Sequence, residues 1–170
     1  QRHRPLPPAL HGRRADIQRF VDLVEAGWID YNGHMNVAYY TLAFDRALDE
    51  IYEALDIGPS AVESRGQGPM ALQTQIHYRA ELLEGEGFHC EAVLLDADHK
   101  RCHAFLRMVR ERDGVTAACY ETLSVNVDLA ARRSAPYPEA VVEGLQRQRD
   151  LHRDVTRDEA VGARIGIRRG

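Results

Sequence analysis

The sequence has no long hydrophobic run, no cysteine pair motif and a single lysine. Its longest apolar stretches, such as Ala92-Val93-Leu94-Leu95, are only a few residues long, far short of the ~20 residues that a membrane-spanning helix needs. Its first residues carry no apolar core of a secretory signal peptide. We therefore expect no contact with a membrane.

The cysteines, Cys90, Cys102 and Cys119, form no CxxC motif, and three thiols cannot all pair within one chain. This favours a reducing, cytoplasmic location. No HxH, HExxH or mixed Cys/His pattern is present either. We expect no metal site.

The charge balance argues against nucleic acid as a partner. The formal net charge is −4, so the chain as a whole does not attract phosphate polymers, and it has no helix-turn-helix or zinc-finger signature. At 170 residues, with 44% hydrophobic and 28% charged residues, the composition is that of one folded domain. A domain over residues 16–135 is expected, with a flexible N-terminal arm over residues 1–15 and a C-terminal helix and fraying tail over residues 136–170.

The strongest periodic signal predicts one long helix over residues 37–55. Its apolar residues recur at steps of three or four, the spacing of a helix stripe; they are Val37, Tyr40, Phe44, Ala47, Ile51 and Leu55. Asn36 is a suitable N-cap, and Gly58-Pro59 is a natural stop. A strand is predicted before the helix, over residues 17–24.

Four segments with period-two character follow a Gly/Pro break at residues 66–69, and they cover residues 70–79, 88–96, 101–110 and 116–128. The links between them are short, so neighbouring strands are antiparallel. One long helix with such strands predicts an α+β fold, in which an antiparallel sheet wraps around a single central helix.

The densest group of reactive side chains lies directly before this helix, from Trp28 to Asn36. A helix N-terminus presents unpaired N–H groups that suit a developing oxyanion, and Asp30 supplies a carboxylate for nucleophilic or general-base work. The alternative is structural: Asp30 and Asn36 cap the loop and the helix, as Asx residues commonly do. Both interpretations remain open from spacing alone.

Other side chains admit structural explanations. His34 is a base, a ligand or a satisfied structural histidine, with the last as the default. Tyr39, Tyr40 and Phe44 form an aromatic stripe of the kind that packs in a core or a dimer contact. A serine nucleophile is unsupported, because the chain has no GxSxG motif.

At these residues the chain resembles the acyl-CoA thioesterases of the hotdog fold, in the 4-hydroxybenzoyl-CoA thioesterase branch. The resemblance spans residues 19–128 and centres on the run D-Y-N-G-H-M-N-V-A-Y-Y. It implies that Asp30 is the catalytic carboxylate, that the Val37 amide polarises the thioester carbonyl, and that Gly33 makes the close turn. His34 and Asn36 match a G-H-x-N form of the motif, where 4-hydroxybenzoyl-CoA thioesterase itself has apolar or aromatic residues.

A closer likeness is to the betainyl-CoA thioesterases of carnitine breakdown, over W-I-D-Y-N-G-H-M-N-V-A-Y-Y and the following A-F-D. It implies a trimethylammonium group held on aromatic faces, for which Trp28, Tyr31 and Tyr39 are the available rings. The alternative is that Trp28 fills the core.

These resemblances imply hydrolysis of an acyl-CoA, favouring betainyl-CoA or another short polar substrate, without a cofactor. Asp30 would attack the carbonyl or deprotonate water, and Asn36 would orient water or substrate. The family also implies a homodimer or dimer of dimers with sites at the interface. Two alternatives remain: a hotdog hydratase or dehydratase using a carboxylate with His34, and a non-catalytic acyl-CoA-binding module. Release of free CoA thiol distinguishes hydrolysis from both.

Overall fold

The computed structural model describes residues 19–169. The predicted arm over residues 1–15 and the start of the first predicted strand lie outside these residues. Chain order is β1 (Arg19–Leu23), one helical turn (Ala26–Trp28), α1 (Val37–Ala54), α2 (Pro59–Arg65), β2 (Gln67–Tyr78), β3 (Gly87–Ala97), β4 (Arg101–Arg110), β5 (Thr116–Asp128), β6 (Arg133–Ser134) and α3 (Glu139–Leu151).

Helix α1 confirms the predicted apolar stripe, with one informative exception. Asn36 has the extended backbone of an N-cap, and its side chain accepts a hydrogen bond from the Ala38 N–H. Phe44 and Ala47 are fully buried. Val37, at the first helical position, is instead 56% exposed, so the helix begins at the surface of the chain and runs into the core.

The predicted strands form one antiparallel sheet in the order β1-β3-β4-β5-β2, with β6 beside β5. Every pairing is antiparallel, and for the neighbours β3, β4 and β5 this follows from the short turns that join them. Alternate side chains of these strands face α1, and the Phe44 ring stacks on Tyr120 of β5 with centroids 5.0 Å apart. The α+β prediction of a sheet curled around one long helix, the hotdog arrangement, is confirmed.

The region between α1 and β2 corrects the predicted break. Residues 59–65 form α2, with Pro59 at a first-turn position that needs no N–H donor. Gly66 ends this helix with φ of +64°, and β2 begins at Gln67. Pro69 lies within β2, where it is tolerated because this strand is at the edge of the sheet.

The C-terminal region is partly as predicted. Helix α3 lies where the sequence predicts helical spacing. The expectation that the following tail frays is wrong for residues 152–163, which pack on the outer face of the sheet. Ala160 is 2% exposed in a cluster with Phe105 and Cys119, and Asp158 accepts a hydrogen bond from Arg79 at 2.9 Å. An ion pair between Arg79 and Asp158, which are far apart in sequence, holds this tail on the sheet.

No helix within residues 19–169 is long and apolar enough to span a bilayer. The three cysteines are buried and unpaired with each other. Burial raises the pKa of each thiol, that of Cys119 to about 11, which keeps all three protonated and poorly reactive at neutral pH.

Candidate active site

The loop before α1 is a small closed hairpin. Ile29 and Met35 form an isolated antiparallel bridge. Between them the Asp30 N–H donates to the His34 carbonyl and the Gly33 N–H donates to the Asp30 carbonyl, each at 3.0 Å. Gly33 adopts φ of +80°, a conformation that glycine reaches without steric cost. The turn therefore needs the glycine that the motif provides.

Two contacts fix the Asp30 carboxylate. Its Oδ1 accepts the Asn32 N–H at 2.8 Å, and its Oδ2 accepts the Asn36 side-chain amide at 3.3 Å. Asp30 is half-buried, so the carboxylate is held in place and still reaches solvent. Asp30 thus caps the turn through its contact with Asn32, as the structural interpretation predicts. Each carboxylate oxygen accepts one hydrogen bond and keeps a further lone pair for chemistry.

Asn36 joins the carboxylate to the start of the helix. Its Oδ1 accepts the Ala38 N–H at 3.0 Å while its Nδ2 donates to Asp30. Its main-chain carbonyl accepts the Tyr39 N–H, also at 3.0 Å. Among residues 19–169 no acceptor meets the Val37 N–H. That amide lies at the positive end of an 18-residue helix, where it suits a negative oxygen.

His34 does not pair with the carboxylate. Its Nδ1 lies 3.2 Å from the Met35 carbonyl oxygen, so that nitrogen carries the proton and donates. Within the described chain, His34 and Asp30 are joined only through the main-chain hydrogen bond at the hairpin tip. Among the described residues, Asp30 and His34 therefore do not form a hydrogen-bonded carboxylate–histidine pair.

The structure separates the three predicted ring ligands. Trp28 is 4% exposed and stacks on Tyr39 with ring centroids 5.5 Å apart. The Arg46 guanidinium lies 5.4 Å from the Trp28 ring centroid, so the cation beside this ring comes from the chain itself. Tyr31 is 96% exposed and does not stack with the other two. Trp28 fills the core, and no three-ring cage forms within one chain.

The connection between β2 and β3 supports the hairpin, a feature that sequence reasoning missed. The Met35 N–H donates to the Leu82 carbonyl at 2.8 Å. The Tyr40 hydroxyl donates to the Ala80 carbonyl at 3.3 Å, and the Arg110 guanidinium donates to the Glu81 carbonyl at 2.7 Å. In the sequence, the only sign of these contacts is the pair Arg110 and Asp113, two opposite charges three residues apart at the end of a predicted strand.

The described residues contain no group of three or more His, Cys, Asp or Glu side chains that could hold a metal. The chemistry considered at this site is that of the Asp30 carboxylate, the Asn36 side-chain amide and the Val37 backbone N–H. Such a set can polarise a carbonyl oxygen and activate water or attack the carbonyl carbon. Val37 and Tyr31 are both exposed, so the site is open to solvent on the side where they lie.

Comparison with known proteins also points to chemistry at a thioester carbonyl. Residues 24–145 match the family described as the thioesterase-like superfamily. A betainyl-CoA thioesterase of Pseudomonas aeruginosa is 29% identical over 140 residues, covering 82% of this chain and 88% of that protein. An L-carnitine dehydrogenase/betainyl-CoA thioesterase of Rhizobium meliloti is 30% identical over 152 residues, covering 89% of this chain but 30% of that longer protein.

A solved structure shares the fold. A hypothetical protein of Staphylococcus aureus, in complex with CoA, superposes with a TM-score of 0.85 at 24% identity, covering 94% of this chain and all of that one. The chain belongs to the thioesterase-like superfamily, and it is a thioester hydrolase. The resemblance to hotdog thioesterases, stated from the motif, is confirmed.

Proposed function

We propose that this thioesterase hydrolyses betainyl-CoA, or another short polar acyl-CoA, to the free acid and CoA. One observation carries the site assignment: the Val37 N–H, which meets no acceptor among residues 19–169, begins a long helix whose cap residue also holds the Asp30 carboxylate. A hydrogen-bond donor for the thioester oxygen and a carboxylate therefore lie in one short segment. This arrangement needs no cofactor.

In the proposed reaction the thioester oxygen accepts a hydrogen bond from the Val37 N–H, which strengthens as the oxygen becomes negative. On the general-base route, Asp30 takes a proton from water as that water attacks the carbonyl carbon. The C–S bond then breaks and the leaving thiolate receives the proton. On the nucleophilic route, Asp30 attacks the carbonyl carbon and the C–S bond breaks, so CoA leaves as a thiolate. Water then hydrolyses the mixed anhydride to the free acid and the Asp30 carboxylate, and its proton goes to the thiolate. Both routes use the same two groups.

The charge of Asp30 also supports a cationic substrate. In betainyl-CoA the quaternary nitrogen is bonded to the carbon next to the thioester carbonyl. A carbonyl seated on the Val37 N–H therefore brings the cation close to the Asp30 carboxylate, which attracts it across a partly desolvated site. Together with the betainyl-CoA thioesterase relatives, this supports recognition by charge, in place of the aromatic cage that the sequence suggested.

Release of CoA thiol from a matched pair of substrates tests this proposal. Betainyl-CoA and tert-butylacetyl-CoA have the same shape, and only the first carries the charge. We expect kcat/KM for betainyl-CoA to be about tenfold or more higher, the effect of one charge at partial burial. Equal values would contradict charge recognition. A higher value for palmitoyl-CoA than for either would contradict the betainyl assignment while leaving thioesterase activity intact.

We also propose that two copies pair through strand β2 and complete the site between them. Strand β2 is 12 residues long and has a neighbour on one side only. Leu72 and Met70 on it are 58% and 53% exposed, and a long apolar edge strand of this kind favours pairing with another chain. Its end at Tyr78 packs edge-on against Tyr40 of α1, close to the open site.

Mass in solution tests the pairing. Leu72→Glu is expected to convert a dimer to a monomer with lower kcat/KM. Leu23→Glu is the matched control, because Leu23 is 55% exposed on the opposite edge strand, β1. If Leu23→Glu dissociates the dimer while Leu72→Glu does not, the pairing edge is β1 and the proposal is wrong.

A further inference from the structure

Three successive carbonyl groups in the connection between β2 and β3 bind three different parts of the chain. The Ala80 carbonyl accepts from the Tyr40 hydroxyl of α1 and the Glu81 carbonyl accepts from Arg110 of β4. The Leu82 carbonyl accepts from the main chain of Met35, the residue before the helix cap Asn36. A short run of backbone thus links β4 to the site hairpin.

Arg110 is held rigidly enough to serve as an anchor. The residue is 8% exposed. Its Nε and Nη2 donate to the two oxygens of Asp113 at 3.0 and 2.7 Å, which leaves Nη1 for the Glu81 carbonyl at 2.7 Å. A planar guanidinium can serve both acceptors at once, whereas a lysine ammonium cannot reproduce this fork.

We propose that Arg110 is a positioning residue for thioester hydrolysis. It fixes the Glu81 carbonyl, and the neighbouring Leu82 carbonyl then fixes Met35 and the segment between Asp30 and the Val37 amide. The inference rests on the proposed roles of those two groups. Arg110 touches no reacting atom, and its effect is geometric, because a displacement of about 1 Å in a catalytic group can cost about 10²-fold in rate.

The chain offers a matched control at the other end of β4. Arg101 also bonds an aspartate three residues away, with its Nε 2.7 Å from Asp98 Oδ2. Asp98 and Asp113 both have carboxyl pKa values lowered to about 2. Among the described residues Arg101 forms no side-chain hydrogen bond or ion pair with the site hairpin or with residues 80–82. Arg101→Ala therefore removes an arginine–aspartate ion pair of the same sequence spacing without the proposed link, from a side chain that is 52% exposed where that of Arg110 is 10% exposed.

Amide hydrogen exchange tests the link independently of turnover. In Arg110→Ala the Met35 amide is expected to exchange about tenfold or more faster, measured against the Leu106 amide at the centre of the sheet, because local opening becomes easier. Arg101→Ala should leave this ratio unchanged. If the ratio of the Met35 to the Leu106 exchange rate is unchanged in Arg110→Ala, the proposal is wrong. This result does not depend on whether the protein hydrolyses any tested thioester.

Turnover separates positioning from lost stability. We expect Arg110→Ala to lower kcat about tenfold or more and change KM by less than about twofold, and added methylguanidinium to restore about threefold or more of that kcat. Arg101→Ala should show neither loss nor rescue. A kcat loss without rescue and equal to that of Arg101→Ala would overturn the proposal.

A second pair of variants covers the case in which Arg110→Ala does not fold. Asp113→Asn keeps the guanidinium but weakens its anchor, and Asp98→Asn is its control. We expect faster Met35 exchange and lower kcat only in Asp113→Asn. Equal behaviour of the two variants would overturn the proposal.

Discussion

The two ends of helix α1 differ in what they bury. At the N-terminal end, Val37 is 56% exposed, its amide has no partner within the described chain, and Asn36 is shared between the helix and Asp30. At the C-terminal end, Ile51 and Tyr52 are 6% and 5% exposed. The same helix therefore provides a site at one end and core stability at the other.

The hydrogen bonds show the same contrast. The Tyr52 hydroxyl donates to Ser124 Oγ at 3.1 Å, and Ser124 in turn donates to the Cys102 carbonyl at 3.4 Å. Burial raises the pKa of Tyr52 far above its usual range, so it remains a neutral donor. The Tyr52 and Ser124 hydroxyls at this end are therefore satisfied by other groups of the protein, whereas the helix start keeps a donor for substrate.

Asp30→Asn should have the largest effect on turnover. The variant keeps the shape of the side chain, so folding and acyl-CoA binding should persist, but kcat should fall about 10²–10⁴-fold because an amide is neither a base nor a nucleophile. Thiol-release kinetics with betainyl-CoA measures this. Asp49→Asn, on the exposed face of α1, is the control. Near wild-type turnover would mean that Asp30 only stabilises the turn.

His34→Ala separates hydrolysis from the hydratase alternative. Because His34 bonds a main-chain carbonyl and not the carboxylate, we expect kcat to fall less than about tenfold. The comparison is made with Asp30→Asn in the same assay. A loss as large as that of Asp30→Asn would assign His34 a direct chemical role.

Tyr52→Phe tests the closed end of the helix. Loss of one buried hydrogen bond should lower the free energy of unfolding by about 1 kcal/mol and leave kcat unchanged. Urea unfolding and thiol release are measured on the same preparation. A large loss of kcat without a loss of stability would show that the two ends are not separate in function.

Acid unfolding should depend on both ends of β4. Hydrogen bonds from Arg110 lower the pKa of Asp113 to about 2. For Asp98, burial raises the pKa, but bonds from Arg101 and from the Lys100 amide outweigh it and bring it to about 2. A lowered carboxyl pKa stabilises the fold above the unfolded value of 3.8, and this is lost as pH falls through the folded value.

The free energy of unfolding should therefore decline between about pH 4 and pH 2, because the Asp98 and Asp113 carboxylates become protonated in this range. In Asp113→Asn or Asp98→Asn that part of the decline should be smaller, as measured by thermal unfolding at stepped pH. An identical pH dependence in wild type and both variants would contradict the ion-pair account.

Local signals predict the features that a local pattern encodes. The apolar stripe predicts α1, alternation predicts β2 to β5, and the motif predicts an Asp30 carboxylate beside a helix start. Helix α2 is missed because its seven residues bury only Ala61, too few for a periodic signal.

Features made by distant residues leave no such pattern. The ordered tail depends on Asp158 meeting Arg79, and the link at Arg110 depends on a main-chain carbonyl. The three-ring cage does not form within one chain for a related reason. Spacing places Trp28 and Tyr31 three residues apart, but the hairpin turns one ring into the core and the other outwards.

The most direct test of the central claim removes one hydrogen, that of the Val37 amide. Proline is tolerated at the first helical position, and Asn36, with ψ of 146°, already has the extended backbone that proline requires before it. Val37→Ala retains the N–H and is the control. With an unchanged helical circular dichroism signal, Val37→Pro should lose about 10²–10³-fold in kcat with little change in KM, while Val37→Ala stays near wild type. A folded Val37→Pro enzyme that turns over like Val37→Ala would contradict the assignment of the oxyanion site to this helix start.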